Sequence, residues 1–107
     1  MSNDRLHQLR EMLAEEPGDL FIRYAITLEL KRKGEMEEAI AGLRSILSEE
    51  PAHIASYYQL ALLLAEVGST QEAITTCEAG ALQCLVTGDR KARAELLELR
   101  ETLLDDH

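Results

Sequence analysis

The heptapeptide Gly34-Glu35-Met36-Glu37-Glu38-Ala39-Ile40 returns 34 residues later as Gly68-Ser69-Thr70-Gln71-Glu72-Ala73-Ile74. The same interval separates the two prolines, Pro17 and Pro51, and the pairs Tyr24/Tyr58, Leu28/Leu62 and Leu30/Leu64. Together these make eight identities in one register, with conservative pairs at Leu20/Ile54 and Ile26/Leu60. Self-similarity at a fixed period of this length marks a supersecondary unit that is used more than once and stacked on its copy.

Each unit divides at its glycine. From Leu20 to Lys33, the apolar residues Leu20, Phe21, Tyr24, Ile26, Leu28 and Leu30 cover much of a helix circumference. From Glu35 to Glu50, Ala39, Ile40, Leu43, Ile46 and Leu47 form a narrower stripe at helical spacing. Gly34 supplies the turn between the two helices, because it tolerates positive φ. Lys31-Arg32-Lys33 precedes it, where cations suit a helix C-terminus. Ser69-Thr70-Gln71-Glu72 reads as a capping box. Pro17 and Pro51 each follow an acidic helix end and stop it. No stretch alternates with period two, so the sequence predicts an all-α chain.

These residues resemble the tetratricopeptide repeat family, as in a small stand-alone protein of bacterial type. The second unit carries the pattern in Tyr57, Leu60, Ala61, Leu64, Gly68, Ala73 and Gly80, the first in Ile26, Leu30, Gly34, Ala39, Leu43 and Pro51. Departures fall at Arg23 (Trp or Tyr expected), Ile46 (Ala), Cys77 (an aromatic) and Leu85 (the closing proline). The resemblance implies an α-solenoid of antiparallel helix pairs, with units at 18–51 and 52–86.

The flanks extend the pattern. Leu9, Arg10, Leu13, Glu15 and Glu16 recur as Leu43, Arg44, Leu47, Glu49 and Glu50, so residues 4–16 read as a half-repeat helix. Residues 89–105 read as a capping helix with Asp89 at its N-cap. Its stripe Ala92, Leu96, Leu99 and Leu103 should face the preceding helix. With no proline at Leu85, that preceding helix should run on to Gly88. The whole reads as one domain, 1–107.

The chain has 107 residues, 46% of them hydrophobic, with 20 acidic and 11 basic side chains and a net charge of −9. That charge opposes general binding to nucleic acid or anionic membranes. No apolar run approaches a membrane span, and Met1-Ser2-Asn3-Asp4-Arg5-Leu6 has no signal-peptide character. Cys77 and Cys84 lie two helical turns apart, roughly 10 Å, too far for a disulfide. The expectation is a soluble cytoplasmic protein.

Chemistry is sparse. The histidines His7, His53 and His107 share no tight motif with a cysteine. His7 and Glu11 have the i, i+4 spacing of a metal pair, which equally describes a surface pair. Cys77 falls at a core position, and Cys84, near its helix end, is expected to be more exposed. Glu35, Glu37 and Glu38 read as a solvated helix start, and Lys91 and Glu95 as an i, i+4 pair. No phosphate loop, nucleophile elbow or metal spacing is present. The sequence therefore predicts no enzyme activity and no cofactor or metal.

The resemblance also places the first helix of each pair along a concave groove. The groove residues it implies include Phe21, Tyr24, Leu28, Lys31 and Arg32 in the first unit, and Tyr58, Gln59 and Leu62 in the second. Tyr57 faces the core in the family pattern. An apolar strip of this kind marks an interaction site or a surface already covered. Its occupant is a peptide or amphipathic helix of a partner, a second copy in a homodimer, or the chain's own last helix. A homodimer through Leu97 and Leu104 is a further arrangement. A clamp for acidic C-termini is absent, because Tyr24, Leu28 and Gln59 hold the family's clamp positions.

Overall fold

A Gly-turn that closes one helix and opens the next sets the spacing of everything else. The computed structural model describes residues 4–105; readings that touch Met1, Ser2, Asn3 and His107 lie outside them. Within them run six helices: α1 (Arg5–Glu15), α2 (Leu20–Arg32), α3 (Met36–Glu49), α4 (Ile54–Glu66), α5 (Thr70–Thr87) and α6 (Arg90–Asp105). Each packs on its chain neighbours in series, and α6 also touches α4. The result is a slab of 42 × 29 × 20 Å.

Gly34 and Gly68 end the first helix of each pair at φ of 83° and 89°. Glu35 N–H then donates to the Leu30 carbonyl at 2.9 Å, and Ser69 N–H to the Leu64 carbonyl at 2.8 Å. These bonds satisfy carbonyls that a helix end otherwise leaves open. They also explain why the expected capping box at Ser69 is not formed. A box needs Glu72 to accept from Ser69 N–H, but that N–H is already spent on Leu64 and the Glu72 carboxylate pairs with Arg44. Ser69 stands at the N-cap with no side-chain hydrogen bond. Aspartates do cap three helices: Asp4 accepts from His7 N–H at 2.9 Å, Asp19 from Ile22 at 3.0 Å and Asp89 from Ala92 at 3.0 Å.

The core is built from both helices of each pair. Ala39, Leu43 and Ile46 of α3 and Ala73, Ile74 and Cys77 of α5 are buried against Ile26, Leu30, Leu60, Ala61 and Leu64. Ile22, Thr27 and Ser56 are buried too, although the apolar pattern does not single them out. Thr27 directs its hydroxyl to the Tyr24 carbonyl at 2.6 Å, and Ser56 Oγ lies 2.8 Å from His53 Nδ1. Tyr57 is buried in the core, and its hydroxyl donates to the Pro51 carbonyl at 2.6 Å, fastening the α3–α4 turn. Arg23, the equivalent residue one unit earlier, instead bonds Glu49 and Ser45 of α3, each at 2.9 Å.

A ladder of ion pairs repeats with the units along the second helices: Arg10–Glu38 at 3.0 Å, then Arg44–Glu72. Each rung is largely exposed and worth little alone.

α6 breaks the period. Having no proline at Leu85, α5 continues for 18 residues against the 14 of α3, until Gly88 stops it at φ 79°. The cap of α6 at Asp89 falls 36 residues after that of α4 at His53, where 34 separate His53 from Asp19. Leu96, which the strict period matches to Leu28 and Leu62, therefore takes the structural place of Ile26 and Leu60 and is 1% exposed. Ala92, Leu96, Leu99 and Leu103 face inward, and Leu96 packs with Tyr57 and Cys84. This also corrects the expected exposure of Cys84. It is 2% exposed because α6 lies over the extended end of α5. The expected Lys91–Glu95 pair is not formed.

Gly80 marks the tightest approach: a Cβ there would lie 2.7 Å from Tyr57 Cβ and 2.9 Å from Leu96 Cδ1. At Gly42 the obstruction is a single methyl, Thr27 Cγ2, also at 2.7 Å. Alanine gains about 1 kcal/mol of helix propensity at either site, but overpacking costs about 1–3 kcal/mol. Gly80→Ala is expected to lower the urea midpoint clearly, and Gly42→Ala to shift it less; the reverse order would refute this packing.

Candidate functional site

The first helices of the two pairs, α2 and α4, lie side by side. Lys31 Nζ donates across them to Gln59 Oε1 at 2.9 Å, and the Tyr24 and His53 rings stand 5.1 Å apart. Along this face Phe21 is 79% exposed and Leu28 36%, while Tyr24, Tyr58 and Leu62 are half-buried. The five form an apolar strip bordered by polar groups. Burial raises the Tyr24 phenol above its ordinary value, partly offset by the nearby Gln59 amide, so the hydroxyl stays protonated at neutral pH and available as a donor.

The basic edge divides. Lys31 is held by Gln59 inside the face. Arg32 turns to Glu29 of its own helix at 2.8 Å, which holds the Glu29 carboxyl below its usual range and raises the guanidinium. Lys33 bonds Asp4 at 2.9 Å and faces α1. Of the three cations only Lys31 belongs to the strip; Arg32 stands at its rim.

The last helix borders the strip without closing it. Ala92, Glu95 and Leu96 of α6 meet Ile54, Ala55 and Tyr58 around a shallow depression of about 200 Å3. The face thus continues from α2 across α4 to the start of α6, leaving Phe21 and Leu28 open.

A second apolar surface lies elsewhere, and the sequence reading passed over it. Leu82, Leu85 and Val86 on α5 are all more than half exposed. The missing proline at Leu85 carried the signal: it lengthens α5 by a turn whose outer side is apolar.

Among the described residues no group of three or more His, Cys, Asp or Glu could hold a metal ion, and no helix is long and apolar enough to cross a membrane. His7 and Glu11 stand 3.5 Å apart as an exposed pair. The cysteines are free and buried. Burial raises both thiols, Cys77 to about 11.

No family model matches the sequence, and no curated protein does. Solved structures do. A tetratricopeptide repeat domain protein from Salinibacter ruber, in its solution structure, superposes with a TM-score of 0.78 at 26% identity, covering 81% of this chain and 88% of that one. A crystal structure under the same description gives 0.77 at 25% identity, over 81% and 97%. A protein of Bordetella parapertussis gives 0.86 at 20% identity, over 97% of this chain and 90% of that one, a likeness of fold alone.

The thiols make a direct check. At pH 8 a thiol with a pKa of about 11 is almost wholly protonated, and protonated thiols are poor nucleophiles. A disulfide reagent should therefore leave the native chain nearly unmodified and titrate two thiols after denaturation. Because the folded value of Cys77 exceeds the ordinary 9.0, its contribution to stability is complete below pH 9 and declines as pH rises towards 11. Rapid labelling of the native chain would contradict the burial.

Proposed function

From a chain with the tetratricopeptide repeat fold, whose α2 and α4 share one open apolar face, we propose a non-enzymatic protein-interaction module. Stacked helical repeats create extended surfaces suited to other proteins. The ligand we propose is a peptide or amphipathic helix lying along Phe21, Tyr24, Leu28, Tyr58 and Leu62. Its apolar side chains would seat between the tyrosine rings, which lose little entropy on binding and carry hydroxyl handles. Lys31 and Gln59 would offer polar contacts, and Arg32 at the rim would steer an acidic segment.

The observation that carries this reading is the exposure of Phe21 and Leu28 beside half-buried Tyr24 and Tyr58. Large side chains left in water on one contiguous face are unfavourable for a lone chain and useful for a bound one. The two reduced, buried cysteines fit action in the cytoplasm. A second copy seated on the same strip is the competing occupant.

The test is affinity capture from cell extract followed by mass spectrometry, comparing wild type with Phe21→Ser and with Tyr24→Ser/Tyr58→Ser. Specific partners should be retained by wild type, weakened by the single variant and lost with the double, while far-ultraviolet circular dichroism remains helical. Capture unchanged by all three substitutions would place the interaction elsewhere.

A further inference from the structure

Among the described residues, the first and last helices each stand as half of a pair. In the 34-residue register α1 corresponds to α3, the second helix of a pair, and Met12 corresponds to Ile46. Ile46 is fully buried beneath α2; Met12 is 51% exposed because no first helix lies against that side of α1 among the described residues. α6, aligned on its cap, corresponds to the first helices α2 and α4. Its Arg93 takes the place of Arg23 and its Leu97 that of Thr27, yet no second helix covers them among the described residues.

The two open sides differ in charge. Beside α6, Leu82, Leu85 and Leu97 floor a depression of about 250 Å3 edged by Arg93 and by the Arg100–Glu78 ion pair. Arg90, Lys91 and Arg93 make no ion pair among the described residues. On α1 the open side presents Gln8, Glu11, Met12 and Glu15 together. One side is apolar and basic, the other is acidic with a single methionine.

The chain also contains a template for joining such faces. Within the α2–α3 pair, Arg23 bonds Glu49 and Ser45, each at 2.9 Å. The residues of α1 equivalent to Glu49 and Ser45 are Glu15 and Glu11, and the residue of α6 equivalent to Arg23 is Arg93.

We propose that the open side of α6 receives helix α1 of a second copy of this chain, so that copies join head to tail and each junction rebuilds a pair of the α2–α3 kind. Arg93 of one copy then meets Glu15 and Glu11 of the next, and Met12 settles over Leu97 and Leu85. A two-fold contact of α6 with α6 whose axis passes near Arg93 would set Arg90, Lys91 and Arg93 among like charges, whereas α1 offers Arg93 the carboxylates of Glu11 and Glu15, so charge favours the heterologous arrangement. The junction is looser than its template. Leu97 and Gln8 stand where Thr27 and Gly42 allow close approach, and Glu78 puts an acid, bound by Arg100 at 2.8 Å, at the position where the ion-pair ladder has Arg10 and Arg44. Assembly is therefore weak, concentration-dependent and open-ended, and it leaves the α2–α4 strip free.

Sedimentation velocity on the full chain tests this over a dilution series reaching about 1 mM, the range of weak contacts. Wild type should grow from monomer through dimer to longer species as concentration rises, and should dissociate as salt screens the charges. Arg93→Glu and Glu15→Arg, both exposed, should each weaken association by about tenfold or more through like-charge contact. An equimolar mixture of the two variants should regain it, since each mutated end then meets its complement. A wild type that stays monomeric throughout overturns the proposal. So does self-association that ignores Glu15→Arg, which would assign the contact to a symmetric α6 face or to the strip. Binding of a different protein at α6 without self-association overturns it as well.

Discussion

A helix that must bury apolar side chains on two sides needs neighbours on two sides, and this requirement organises the molecule. α3 and α5 are such helices: the inner side chains Leu43, Ile46, Ala73 and Cys77 are closed off from solvent only because a first helix precedes and another follows each of them. One pair alone would leave half of those faces wet. Stacking removes the defect in the middle of the array and moves it to the ends, where α1 answers with a largely polar outer side and α6 with a stripe of arginines. The close contacts at Gly42 and Gly80 serve the same requirement. They let helices approach where a β-carbon would hold them apart.

Much of this could be read in the chain. The period located both Gly turns, and both glycines adopt the positive φ those turns demand. It also predicted an all-helical chain and the long α5 that Gly88 stops. What escaped it were consequences of packing. The helical stripe already set Leu96 facing α5, but the 34-residue period would match it to Leu28 and Leu62, because it does not register the extra residues that shift α6 by two positions. That same shift buries Cys84. The capping box at Ser69 fits the local sequence and fails because a Gly-turn hydrogen bond already occupies the donor it needs.

The candidate face was legible in a different way. Phe21, Tyr24, Leu28, Tyr58 and Leu62 do share one open face, and Lys31 and Gln59 do meet on it. Their neighbourhood in the chain could not reveal that Arg32 would fold back on Glu29, nor that α6 would prolong the face instead of covering it. The net charge of −9 is likewise uninformative until it is resolved in space. Arg10, Arg23, Arg44 and Arg100 are spent on bonds between helices, whereas Arg90, Lys91 and Arg93 cluster at the head of α6 with no ion pair among the described residues.

The serial order of contacts has a kinetic side. Each helix meets mainly its chain neighbours, so little of the chain must close a long loop before native contacts form, which favours rapid folding. It also grades the resistance to opening. α1 packs mainly on α2, with an exposed ion pair to α3, while the helices between the two ends are held from both sides. Amide protons should therefore exchange first at the N-terminal helix and last around Leu43 and Leu64, so the array loosens from its end inward and does not melt evenly.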